Sequence, residues 1–179
     1  MAKKLEGAGL RGQVAGETSL CTVGQEEGLA YRGHKIELLA EKATFEEVAY
    51  LLIYGKLPTQ TELDAYKSKL KSLRDLPTEL KIVLQNIPVT AHPMDVMRTG
   101  CSILGCIETE ANFSQADDKI DRMLALFPSI ITYWYKFSHE NKKINTETDD
   151  DTIGSHFLSL LHGEKPSSLY TKVMNVSLI

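Results

Sequence analysis

The sequence predicts a mainly α-helical domain with one small β-hairpin near its N-terminus. Three observations carry that reading. Apolar residues recur at helical spacing over most of the chain, Thr-x-x-Glu and Pro start signals punctuate them, and only one pair of β-compatible runs occurs. A length of 179 residues is enough for one domain, alone or with a small appendage, to bury a core without staples. Hydrophobic residues at 42% and charged residues at 25% match ordinary globular proteins and argue against a disordered, collagen-like or membrane-spanning chain. The net charge of -4 and pI near 5.7 argue against a nucleic-acid binder.

Residues 1–16 hold four glycines and little periodicity, and are expected to form an irregular arm. Thr18–Val23 and Leu29–Tyr31 then read as two strands. Gly24 and Gly28 bracket a loop longer than the tight two-residue type. Ile36, Leu38 and Leu39 open a short helix. Thr44 to Glu47 is a capping box before the run Val48–Ile53, with Gly55 as its stop. Thr59 to Glu62 repeats the box, and Leu63, Tyr66, Leu70 and Leu73 form one apolar stripe opposite a solvated face of Asp64, Lys67, Lys69 and Lys71.

Pro77-Thr78 opens a helix with Leu80, Val83, Leu84 and Ile87 inward, ended by Pro88. His92-Pro93 starts another that runs to about Ile107, with Pro93 in the first turn. Gly100 and Gly105 inside it each cost about 1 kcal/mol against Ala, and are expected to let a neighbouring helix approach closely. Ser114 to Asp117 is read as the cap of the longest helix, Asp118 to about His139, with Pro128 kinking it. A helix over Thr152–Leu161 follows, then a last one from Pro166-Ser167-Ser168, still apolar at Val176, Leu178 and Ile179. An amphipathic pattern running to the last residue predicts that the chain is the front part of a longer protein.

The chemistry candidates are sparse. Cys21, Cys101 and Cys106 are too few for a disulfide framework, and without a CxxC pair they do not suggest zinc. No apolar leader follows the basic start, and Leu124–Tyr135 is too short and polar to span a bilayer. The expected setting is therefore a reducing cytoplasm. His34, His92, His139, His156 and His162 show no nucleophile-elbow context. His162 before Gly163 suits a helix C-terminus. His156 and His162, six apart, point to different faces. Asp149, Asp150 and Asp151 could be acid/base carboxylates or metal ligands, yet three carboxylates before a helix also complement its positive end, and one can cap it. Arg32, Arg98 and Lys165 could meet a phosphate or carboxylate. Tyr133-Trp134-Tyr135 with Phe137 reads as core and interface packing. No glycine-rich phosphate motif is present.

Longer words go further. Gly16-Glu17-Thr18-Ser19-Leu20-Cys21-Thr22-Val23, with Leu29-Ala30-Tyr31-Arg32-Gly33, resembles the opening of the citrate synthase family. Phe45-Glu46-Glu47-Val48-Ala49-Tyr50-Leu51-Leu52 with Gly55-Lys56-Leu57-Pro58-Thr59, and His92-Pro93-Met94-Asp95-Val96-Met97-Arg98-Thr99-Gly100, continue the resemblance. The stretch from Glu147 to Leu158, ending in His162-Gly163-Glu164-Lys165-Pro166, is similar to the 2-methylcitrate branch more than to the ordinary branch. The likeness covers essentially the whole chain.

The resemblance implies a multi-helical large domain and a small domain in a homodimer. It implies condensation of oxaloacetate with a coenzyme A thioester, propionyl-CoA in the 2-methylcitrate branch or acetyl-CoA in the ordinary one. The thioester is a substrate, and no permanently bound cofactor or metal is implied. In the family a carboxylate removes the thioester α-proton, one histidine hydrogen-bonds the enol, a second polarises the oxaloacetate carbonyl, and arginines hold its carboxylates. Those groups lie in the family's later half. Residues 1–179 then form the N-terminal part, mostly large helical domain. They receive no catalytic residue, no assigned substrate contact and no metal site, and alone they are expected to be inactive. The reading from another class is a short, non-catalytic helical interaction module.

Overall fold

The computed structural model describes residues 16–24 and 28–179. The expected N-terminal arm thus lies outside the described residues but for Gly16, as do three residues of the hairpin loop. Strands β1 (Cys21–Gly24) and β2 (Gly28–Tyr31) pair antiparallel, with Cys21 opposite Tyr31 and Val23 opposite Leu29. The sheet also has a third strand that the sequence reading missed, β3 (His34–Lys35), with Tyr31 opposite His34. Its two-residue connection is Arg32-Gly33, both at positive φ (45° and 83°). That is the backbone of a type I′ hairpin turn, which matches the twist of the strands. Arginine at the first turn position hides the signal, because Asn or Asp is the usual occupant there.

Eight α-helices follow among the described residues: α1 (Ile36–Lys42), α2 (Phe45–Tyr54), α3 (Gln60–Ser72), α4 (Thr78–Asn86), α5 (Pro93–Ile107), α6 (Ala116–Glu140), α7 (Ile153–His162) and α8 (Ser168–Leu178). Both predicted capping boxes form. The Thr44 and Thr59 side chains accept from the amides of Glu47 and Glu62, whose carboxylates reach back. Gly55 ends α2 in the left-handed region at φ 85°, as a C-cap glycine does. A third box, Thr152 with Ser155, starts α7. The cap of α7 is therefore this threonine, not one of the three preceding aspartates. The predicted Ser114 cap is also corrected. Asn112 accepts from the Ser114 amide and begins a 3-10 turn, Phe113–Gln115, that runs into α6 two residues before the expected start.

Helix α6 is the spine. It runs on through Pro128, and its Leu126, Ile130, Tyr133 and Trp134 share one buried cluster with Leu80 and Leu84 of α4 and Val96 and Leu104 of α5. Its Ala125 joins a second cluster with Ala49 of α2, Tyr66 and Leu70 of α3 and Ile153 of α7. A third cluster, Leu39, Val48 and Leu51, ties α1 and α2 to Tyr31 of the sheet and to Ile179. The close approach expected in α5 occurs at one glycine only. A Cβ at Gly100 would stand 2.8 Å from Ile130 Cγ2, whereas one at Gly105 would meet nothing within 4 Å.

Candidate functional site

Two buried polar clusters stand out, and each joins segments far apart in sequence. The first centres on His156 of α7, which is fully buried. Its Nε2 lies 3.2 Å from Ser129 Oγ of α6, and its Nδ1 lies 3.0 Å from Thr148 Oγ1. Ser129 donates its own proton to the Arg74 carbonyl at 2.9 Å. The hydroxyl must then accept from His156, which places the imidazole proton on Nε2 and leaves Nδ1 to accept from Thr148. That polarity is the reverse of a serine activated by a histidine base. Burial first, and the Arg74 charge second, push the imidazole down to about 3, so it stays neutral.

Arg74 is itself buried. Its guanidinium donates to the carbonyls of Thr148 at 3.1 Å, Asp150 at 2.6 Å and Thr152 at 3.4 Å. Glu46 completes the cluster by accepting from the Ile153 amide at 2.7 Å, and burial raises its carboxyl above the usual range. Arg74 thus holds the irregular segment before α7 by its backbone carbonyls, and Glu46 holds the first amide of α7, groups that would otherwise be costly to bury.

The second cluster surrounds Asp121 of α6, whose side chain is fully buried. Tyr54 donates at 2.6 Å, Tyr66 at 3.0 Å and Lys69 at 2.7 Å, and Lys69 also reaches Asp118 at 2.8 Å. Burial and the adjacent carboxylate raise both phenols above their ordinary values. Burial opposes the Lys69 charge, but Asp118 and Asp121 hold the ammonium above its usual value. Lys69 thus belongs to a helix-to-helix tie and not to a solvated face. Every Asp121 oxygen has a donor, so the cluster reads as structure.

Apart from Asp149, Asp150, His162 and Lys165, which share cavities around the two ends of α7, the residues singled out in the sequence do not converge. Arg32 donates through Nη2 and Nε to the Leu52 carbonyl at 2.9 and 3.3 Å, satisfying a late carbonyl of α2. Arg98 pairs with Asp95 one turn earlier on exposed α5, at 3.0 Å. His92 caps α5 by accepting the Met94 amide on Nδ1 at 3.2 Å. His139 stacks on Tyr135. His34 is exposed apart from the others, whereas His162 and Lys165 line one cavity beside the end of α7, and Lys165 also shares a cavity of about 400 Å³ with Asp149 and Asp150. Asp149 meets Lys71 at 3.3 Å, and Asp150 serves Arg74 through its main chain. Tyr133 and Trp134 are core residues as expected. Among the described residues no group of three or more His, Cys, Asp or Glu is placed to hold a metal ion, and no helix is long and apolar enough to cross a membrane. What the sequence reading missed is the Ser129–His156 pair and the Asp121 cluster. Their partners lie 27 to 67 residues apart, beyond any local spacing rule.

This helical frame is shared with known proteins. Residues 9–179 match the family described as citrate synthase, C-terminal domain. The chain belongs to the citrate synthase family. It is 65% identical, over 99% of its length and 48% of the relative's, to the 2-methylcitrate synthase of Shewanella oneidensis. It superposes with a TM-score of 0.80 on the crystal structure of citrate synthase from Thermotoga maritima, at 32% identity, over 94% of this chain and 44% of that one. The fold is also that of Thermoplasma acidophilum citrate synthase, solved as a ternary complex with carboxymethyl coenzyme A and oxaloacetate, with a TM-score of 0.84 at 24% identity over 94% and 45% of the two chains. The chain spans about half the length of the curated relatives it matches.

Proposed function

We propose that the chain is the N-terminal half of a 2-methylcitrate synthase, an acyltransferase that condenses propionyl-CoA with oxaloacetate and water to give 2-methylcitrate and coenzyme A. The observation that carries this reading is the 65% identity to the Shewanella oneidensis 2-methylcitrate synthase, against 32% to the Thermotoga maritima citrate synthase. The intact enzyme acts as a homodimer in a reducing cytoplasm, and its coenzyme A thioester is a substrate and not a resident cofactor.

Chemistry divides the labour. A thioester α-proton is weakly acidic, so a base must act together with a group that stabilises the enol oxygen. The histidines of this chain supply neither. His156 is buried with its proton engaged, and the other four are exposed at scattered positions. This half therefore provides the helical frame, and the base, enol stabiliser and oxaloacetate ligands belong to the other half. The test is steady-state turnover of oxaloacetate by the intact polypeptide carrying this sequence, with propionyl-CoA and with acetyl-CoA. Preference for propionyl-CoA is expected. Marked preference for acetyl-CoA overturns the branch, and no turnover of either overturns the synthase reading.

A further inference from the structure

We propose that a buried water molecule is bound between the Glu46 carboxylate of α2 and the Arg74 guanidinium, and that through it these two side chains brace the start of α7. Among the described residues three buried side-chain polar atoms have no hydrogen-bond partner in the protein: Glu46 Oε2, Arg74 Nε and Thr146 Oγ1. All three belong to one neighbourhood. Glu46 and Arg74 grip the backbone between Thr148 and Ile153, and Thr146 stands two residues before that stretch. Buried polar atoms are almost always paired, with protein or with ordered water, so orphans gathered in one place point to a small polar ligand.

One peptide group brings the orphan atoms of Glu46 and Arg74 together. Arg74 Nη2 donates to the Thr152 carbonyl at 3.4 Å, and Glu46 Oε1 accepts from the Ile153 amide at 2.7 Å; these are the two ends of the Thr152–Ile153 peptide. Nε and Nη2 share one edge of a guanidinium, the edge that Arg32 turns on the Leu52 carbonyl and Arg122 on the Glu108 carboxylate. The free Nε–H therefore lies on the side of Arg74 that faces the peptide group held by Glu46. Both side chains are buried, and each acts on the other's charge, yet no hydrogen bond joins them directly. Chemistry selects the ligand. Arg74 Nε can only donate, and an ionised Glu46 can only accept. A cation would face the guanidinium. An anion would face Glu46 together with Asp150 and Asp151, whose charges also act on Arg74. An apolar group would leave both atoms unsatisfied. The neutral molecule that accepts one bond, donates another and fits a packed interior is water. It also serves a protonated Oε2, by accepting from it, so the site does not depend on the ionisation of Glu46.

The test is a crystal structure of the intact polypeptide carrying this sequence, at a resolution that orders internal waters, joined by magnetic relaxation dispersion of isotope-labelled water, which counts long-lived internal waters in solution. The expected crystallographic result is a single spherical peak within about 3.2 Å of both Glu46 Oε2 and Arg74 Nε. In solution, Glu46→Leu is expected to hold one long-lived water fewer than the parent. Arg74→Met is the second variant, with the same expected loss, and circular dichroism selects whichever of the two is folded. The parent crystal structure decides without either variant. The proposal is overturned by a direct contact between Glu46 and Arg74 with nothing between them, by a dry site, by density of an ion in place of water, or by a folded variant that keeps the parent's count of internal waters.

Discussion

At the residue scale, His156 links protonation to folding. Its folded value of about 3 lies below the ordinary 6.5, so between those limits the unfolded chain binds more protons than the folded one. The stability contributed is complete above pH 6.5 and is lost as pH falls toward 3, at up to about 1.4 kcal/mol per pH unit. The lowered carboxylates, Glu62, Asp118 and Glu140, act in the same direction, but below their ordinary values near 4. Glu46, raised by burial, acts in the opposite sense, contributing stability that is lost as pH rises through its folded value. The charge of Arg74 and the carboxylate of Asp150 also face the ring, and Arg74 keeps its charge throughout this range. Replacing His156 with Gln removes one titration and leaves the others. Urea denaturation at pH 6.5 and 4.5 should show the parent losing roughly 2 kcal/mol more than His156→Gln, and equal losses would contradict a buried neutral ring. None of this is legible in the sequence. A histidine in Gly154-Ser155-His156-Phe157 looks like any other until α6 brings Ser129 beside it and Arg74 adds its charge.

At the element scale, α5 shows how much of a helix can be read in advance and where reading stops. His92-Pro93 gave its start, and it ends at Ile107 as expected. The two interior glycines looked equivalent, because propensity sees only the backbone. The structure separates them. Gly100 is buried against Ile130, a β-branched side chain stiff at χ1, so Gly100→Ala forces a shift and overpacks the α5–α6 contact. The cost of overpacking, about 1–3 kcal/mol, exceeds the helix-propensity gain of about 1 kcal/mol. Gly105→Ala meets open space and keeps the gain. Thermal melts should therefore move in opposite directions, down for Gly100→Ala and up by a few degrees for Gly105→Ala. Two upward shifts would mean that α6 yields to the added methyl. Caps follow the same division. The Thr44 and Thr59 boxes were legible because both partners lie within four residues. The 3-10 entry to α6 was not, because Asn112 stands one turn outside the periodic run. The helical character of the chain was readable from periodicity, whereas β3 escaped because it is two residues long and its turn carries Arg32 where Asn or Asp is usual.

At the scale of the whole molecule, the last helix decides how the isolated chain behaves. Its inner side is engaged. Asn175 accepts from the Phe45 amide at 2.7 Å, Met174 packs on Gly154, and Leu178 packs on the second core cluster. The outer side is different, with Leu169 at 67%, Val173 at 55% and Val176 at 38% exposure on one stripe. Burying such side chains is worth roughly 1.5–3 kcal/mol each, so neighbouring chains gain by bringing their α8 stripes together, and exposed contiguous apolar patches associate. Residues 1–179 alone are therefore expected to scatter light increasingly with concentration. They are also expected to turn over no oxaloacetate with propionyl-CoA, since the base, enol stabiliser and carbonyl polariser must be held together for catalysis and the two polar clusters of this chain are buried. Leu169→Lys with Val173→Glu, both on the exposed stripe, should abolish the scattering. The melting temperature should stay within the small range usual for surface substitutions, about 0.5 kcal/mol in stability. Scattering that survives the pair would place the association elsewhere, and turnover by a monodisperse 20.0 kDa species would show that these residues carry catalytic groups after all.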